Sequence, residues 1–216
     1  KCTVNCNSNV LFLPGIEGSR LYRPDYDGGT DKLWEPNIDS DVKDLYMNSD
    51  GTSTRLDVYA KERDLIDELP DGENIYKSFI DKMNDLKTSG TIVDWEPIAY
   101  DWRLSLDDIL TYGNDVQGRI YYSGDLRATS TPYVIQELKR LATNSKTDKV
   151  TIVAHSNGGL LAKRLTEFLG PAESARLIDK MIFVAVPQAG TPAAVAAGRG
   201  RGALGGPAAV LRPLVS

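Results

Sequence analysis

The sequence predicts an α/β fold, a mostly parallel β-sheet with helices on both faces. Three observations carry that expectation. The strand-length apolar runs Val10 to Leu13, Val150 to Ala154 and Ile178 to Val186 show no polar alternation, as expected of strands buried on both faces. Helix-patterned segments separate them, and strands joined by helices make a parallel sheet. The chain's 216 residues, 41% of them hydrophobic, suffice for one domain with a sizeable core.

In chain order, the first buried strand runs into a tight turn at Pro14-Gly15. Residues 24 to 72 are rich in turns and acids and read as an insertion. Within them Tyr46 to Tyr59 reads as a hairpin turning at Asp50-Gly51. From Glu73 to Lys87, Ile75, Phe79, Ile80, Met83 and Leu86 recur at helical spacing behind Pro70-Asp71-Gly72. Residues 24–90 thus form a lid-like region, expected near the mouth of a site at the sheet's carboxyl edge. Thr91 to Ala99 is strand-like. Thr131 to Ala142 is a helix with Pro132 in its first turn, and Gly158 to Leu169 is a helix ended by Gly170-Pro171. The tail, 193–216, holds no Asp, Glu or aromatic residue and has no place in a packed core.

Composition narrows the function. Lys and Arg number 25 against 30 Asp and Glu, a net charge of −5, so nucleic acid and anionic lipid surfaces are not expected partners. No apolar run reaches the roughly 18 residues of a membrane helix, so no transmembrane segment is expected. The first residue is Lys and no signal-peptide pattern follows, which leaves open an N-terminal segment that was cleaved or left out. Cys2 and Cys6 could close a small disulfide loop, which leans toward a secreted or extracytoplasmic protein; bonded and free states both stay open. No Cys/His cluster has zinc spacing, and the calcium-loop-like stretches at Asp25 to Gly28 and Asn48 to Gly51 lack the acids of an EF-hand's first position and the Glu of its twelfth. Neither a metal nor another cofactor is expected.

The strongest chemical signal is Ala154-His155-Ser156-Asn157-Gly158-Gly159, set between a buried strand and a helix. It is the nucleophile-elbow pattern G-x-S-x-G with Ala in the first glycine's place. A strand reversing sharply into a helix strains its central residue, so the positions two before and two after need minimal side chains. Ala154 and Gly158 meet that need. Such a turn lifts the Ser156 hydroxyl off the sheet, and the Asn157 amide at the helix start can face a developing oxyanion. Pro14-Gly15-Ile16-Glu17-Gly18-Ser19, after the first strand, stands where the second oxyanion donor belongs, with Ile16 the candidate. The plain alternative is a strand-to-helix turn capped by a serine.

Four segments in order, Val10 to Tyr22, Ala99-Tyr-Asp-Trp-Arg-Leu104, the elbow at 154–159 and Val186-Pro-Gln-Ala-Gly-Thr-Pro192, resemble lecithin:cholesterol acyltransferase-like lipases. The resemblance implies an α/β-hydrolase fold, Ser156 as nucleophile, and carboxylic ester or acyl-lipid substrates. Asp101, Trp102 and Arg103 would brace the site's rim or act as a structural pair with a packed indole. The sequence departs from the family where the triad should be completed. No Asp or Glu follows Asp179 and no His follows His155, whose position beside the serine directs its ring elsewhere. Residues 1–192 are therefore expected to be the N-terminal part of such a hydrolase, inactive or incomplete as it stands, with exposed apolar surface through which it could self-associate. The alternative is a non-catalytic module of the same fold that binds a lipid or protein and has lost the triad.

Overall fold

A computed structural model describes residues 6–122 and 131–190. It is a mixed α/β structure with two sheets. The first is parallel and four-stranded. It consists of β1 (Asn9–Leu13), β5 (Trp95–Pro97), β8 (Val150–His155) and β9 (Ile178–Val184), in the order β5-β1-β8-β9. β1 is buried along its length and sits between its neighbours in continuous register, Asn9 opposite Val150 and Leu13 opposite Ala154. The helices α2 (Lys77–Thr88), α4 (Tyr133–Thr143) and α5 (Asn157–Leu177) connect these strands.

Most sequence-expected elements of this layer are present, with shifted ends. The helix expected from Glu73 begins at Lys77, because the Ile75, Tyr76 and Lys77 amides all donate to the Asp67 carbonyl and hold the chain in a turn. The strand expected over Thr91 to Ala99 shrinks to three residues. The α4 helix opens behind Pro132 and buries Val134, Ile135, Leu138 and Leu141. The α5 helix breaks at Gly170, whose φ of 74° and ψ of 167° are non-helical, and a second run continues through Pro171 to Leu177. That continuation is absent from the sequence reading.

Two expectations are corrected. The first is that the parallel sheet is not alone: the stretch 24 to 72, loop-rich as it is, also contributes strands to a second sheet. β2 (Ser19–Pro24), β3 (Thr30–Trp34), β4 (Tyr59–Leu65), β6 (Asn114–Val116) and β7 (Arg119–Tyr121) form an antiparallel sheet, β3-β2-β4-β7-β6, with short helices α1 (Asp39–Asp44) and α3 (Leu106–Tyr112) beside it in sequence. These strands hide from a hydrophobicity pattern because charged side chains pair across them. Arg20 reaches Asp64 and Asp67, and the Lys61 ammonium lies 3.9 Å from the centre of the Tyr22 ring. At the expected hairpin, Gly51 takes a φ of 86°, but only the Met47–Ser53 bridge forms.

The second correction concerns β9. It pairs in parallel with β8 as an edge strand, yet its apolar side chains are not buried: Met181 is 38%, Ile182 46% and Val184 48% exposed. Among the described residues no further strand covers that edge. Cys6 is disulfide-bonded, which leaves Cys2, outside the described residues, as the other cysteine of the chain. The 193–216 tail also lies outside them. Among the described residues no helix is long and apolar enough to cross a membrane.

Candidate functional site

The order of the parallel sheet marks one place for a site. From β1 the chain goes out to β5 on one side, and from β8 it goes to β9 on the other, so β1 and β8 flank a topological switch point. In open α/β sheets the crevice at the strands' carboxyl ends beside such a point is where ligands bind. The Pro14-Gly15 turn leaves β1 there and Ser156 leaves β8 there.

Ser156 has φ 51° and ψ −122°, a conformation L-residues rarely adopt and one that stores on the order of 1–3 kcal/mol. Its surroundings over-determine it. The Ser156 amide donates to the Val184 carbonyl at 2.9 Å, and its own carbonyl accepts from Gly159 at 3.0 Å. Ala154 is fully buried. A Cβ on Gly158 would collide with the Leu13 carbonyl, and one on Gly159 with the Val186 side chain. The small residues of the elbow are thus a packing requirement, as the sequence pattern anticipates. Beyond the serine, the Asn157 and Gly158 amides open α5 with no intrahelical partner, the usual state of a helix's first N–H groups.

The neighbouring turn presses against this elbow. The Gly18 amide donates to the Gly15 carbonyl at 3.1 Å, and Glu17 has φ 61° while Ile16 does not take a positive φ, the pattern of a type II turn with Ile16 second. A Cβ on Gly15 would lie 3.1 Å from the Ser156 Cβ, closer than most side-chain contacts, so glycine favours this approach. The Gly15 amide is taken by the Tyr76 hydroxyl at 2.9 Å. No hydrogen bond among the described residues engages the Ile16 amide. The fully buried Tyr100 hydroxyl donates to the Pro14 carbonyl at 2.7 Å and also meets the Asn157 side chain, tying turn to elbow. The Asn157 Oδ1 is buried with no hydrogen-bond partner among the described residues.

The His155 ring is engaged by Tyr76 and not by the serine among the described residues. Its Nδ1 lies 2.8 Å from the Tyr76 hydroxyl, and burial lowers its pKa below the usual imidazole value. The Ser156 hydroxyl does not cap the amides of α5. Asp101 and Arg103 form a buried two-pronged pair with bonds of 2.8 and 2.5 Å, and Arg103 also donates to the Leu45 carbonyl. The Trp102 indole donates to the Ser19 carbonyl and packs edge-on against Trp34. These three residues join the segment after β5 to the start of β2 and to the segment after α1.

The N-terminal end of α2 does approach the site, through Tyr76, while Phe79 packs on Phe12 and Trp95. A cleft of about 530 Å³ lies between α3, α5 and the segment after β9, lined by Ser105, Leu106, Lys163, Arg164, Glu167 and Gln188; Ser156 is not in its wall. Among the described residues no group of three acids, cysteines or histidines is placed to hold a metal. At Asn48 to Gly51 the Asp50 carboxylate is occupied by the Thr52 amide and hydroxyl, which is turn chemistry.

Tyr76 and Tyr100 are the site residues that the sequence reading does not single out. Tyr100 lies inside the Ala99 to Leu104 motif, so a signal was there. Tyr76 is 61 residues from Gly15 and carries no local pattern. No protein-family model matches the chain. Nor does any curated protein.

Proposed function

We propose that this chain carries the nucleophile and oxyanion half of a serine hydrolase with the α/β-hydrolase arrangement, acting on carboxylic esters or acyl lipids in the manner of the lecithin:cholesterol acyltransferase-like enzymes. The observation that carries the reading is the backbone of Ser156. A serine at φ 51° and ψ −122°, between a strand end and a helix start at the switch point of a parallel sheet, is held in a strained conformation where ligands bind in such sheets. Ser156 would attack the acyl carbonyl. The Asn157 and Ile16 amides would receive the negative charge that develops on its oxygen, the contribution that usually dominates acyl transfer. Two unpaired N–H groups bind the tetrahedral intermediate's oxyanion more strongly than the neutral carbonyl oxygen, because charge-assisted hydrogen bonds are the stronger.

The described residues supply no base to the Ser156 hydroxyl, and a serine without one is a weak nucleophile at neutral pH. That observation favours a second reading, a non-catalytic lipid- or protein-binding module of the same fold. Hydrolysis of a short activated ester, with and without added imidazole, separates the two. Free imidazole hydrolyses activated esters by itself, so turnover is counted above the same imidazole without protein, and the excess reports an added base serving the serine. The proposal expects turnover that rises with imidazole and is lost in Ser156→Ala. An imidazole response equal in both proteins would favour the binding module.

A further inference from the structure

We infer that the Tyr76 hydroxyl is a positioning group for the oxyanion side of the Ser156 site, holding the Gly15 amide and the His155 ring together so that Ile16 keeps the turn's free N–H. The purpose of that free donor rests on the hydrolase reading; the arrangement itself does not. Tyr76 is buried immediately before α2, with its ring edge-on to Phe12 of β1 at 5.1 Å and to His155 at 5.7 Å. Its hydroxyl therefore spans the two strand ends that flank the switch point.

The proton inventory fixes the roles. The Gly15 N–H can only donate, and it occupies one lone pair of the Tyr76 oxygen at 2.9 Å. The hydroxyl has a single hydrogen, and the His155 Nδ1 at 2.8 Å is the acceptor within reach. His155 is then the Nε2–H tautomer with a bare Nδ1. The other tautomer would aim two donors at one hydroxyl and leave that hydroxyl's hydrogen without an acceptor in a buried place. Gly15 is part of the device: a Cβ there would stand 3.1 Å from His155 Nδ1, tight against the histidine end of the pair, and in ordinary contact with the Tyr76 oxygen at 3.5 Å. Two consequences follow for catalysis. Gly15 is withdrawn as an oxyanion donor in favour of its neighbour Ile16, and the imidazole beside the nucleophile is anchored through its basic nitrogen and cannot serve as the general base.

The chain's single histidine makes the test direct, since its ring nitrogens give one set of resonances in the full 216-residue protein. Nitrogen-15 NMR at neutral pH should show the Nε2–H tautomer, and Tyr76→Phe should shift it toward a mixture. Amide exchange of Gly15 should accelerate at least tenfold in Tyr76→Phe, while Leu138 and Leu161, inside α4 and α5, keep their protection as evidence that the fold persists. An Nδ1–H tautomer in the unmodified protein would overturn the inference, and that result stands even if the variant fails to fold. Unchanged Gly15 exchange in a folded Tyr76→Phe would overturn it too. Covalent labelling of Ser156 by a fluorophosphonate reports separately on the hydrolase reading. Its absence alongside the expected tautomer sinks that reading alone, and its presence alongside the Nδ1–H tautomer sinks only the role of Tyr76.

Discussion

Gly158 and Leu13 stand so close that a Cβ on the glycine would overlap the leucine's carbonyl oxygen and come within 2.6 Å of the Pro14 oxygen. Both obstacles are backbone atoms of the buried central strand and its turn, so neither can rotate aside. Gly158→Ala should therefore cost at least the top of the roughly 1–3 kcal/mol range for overpacking. Urea unfolding compared with Gly29→Ala, where the nearest atom to a new Cβ is an exposed Asp25 side chain at 3.8 Å, gives the measure. The control should stay within about 0.5 kcal/mol.

Ile16→Pro removes the candidate donor without fighting the turn. Proline suits the second position of a type II turn, and the Ile16 amide makes no bond that its loss would break. Stability should change little, while Ser156 reactivity toward an acyl or phosphonyl probe should fall by on the order of 10²–10³, the usual cost of one oxyanion donor. Equal labelling rates in a folded variant would remove Ile16 from the site.

The Asp101–Arg103 pair is buried with both charges satisfied, so breaking one side strands the other. Asp101→Asn or Arg103→Ala should destabilise the fold by about 3–5 kcal/mol. Arg103→Lys should not restore it, because an ammonium cannot make the two-pronged contact and also reach the Leu45 carbonyl. Thermal unfolding of the three variants checks this.

Glu96 sets a pH dependence. It is 2% exposed, and burial, helped by Glu137 and Glu62, outweighs Arg63 and Arg140 and pushes its pKa up to about 7 from 4.5. The folded protein then holds that proton more tightly than the unfolded chain. This contribution to stability is present at low pH and is lost as pH rises from about 4.5 to 7, by up to about 3 kcal/mol at 1.36 per unit. His155, with its lowered pKa, acts in the opposite sense below its unfolded value of 6.5. The comparison with Glu96→Gln isolates the carboxylate: stability between pH 5 and pH 7.5 should fall less in the variant than in the parent.

The parallel layer was legible because strands buried on both faces must be apolar throughout, as Val10 to Leu13 and Val150 to Ala154 are. The elbow was legible because its pattern, Ala154 and Gly158 around Ser156, fits within six residues between a strand and a helix, although the atoms that Gly158 must clear, the Leu13 and Pro14 carbonyls, belong to the distant first strand. The antiparallel sheet was not. In β4 the run Lys61-Glu62-Arg63-Asp64 looks like a solvated loop until Arg20 and Tyr22 are brought beside it, and Tyr22 then meets Asp64 through its hydroxyl. The exposure of Met181, Ile182 and Val184 was hidden for the converse reason, since an apolar run says nothing of whether a neighbour covers it. Tyr76 joins the site only through tertiary packing.

The central claim is that the strained Ser156 is a nucleophile facing an oxyanion hole. Its most direct measurement is mass-spectrometric mapping of the covalent adduct formed when the chain is incubated with a fluorophosphonate. A single adduct on Ser156 is expected, formed slowly because the described residues offer its hydroxyl no base, and absent in Ser156→Ala. Adducts spread over other serines, or no adduct at Ser156 in the folded protein with imidazole supplied, would contradict it.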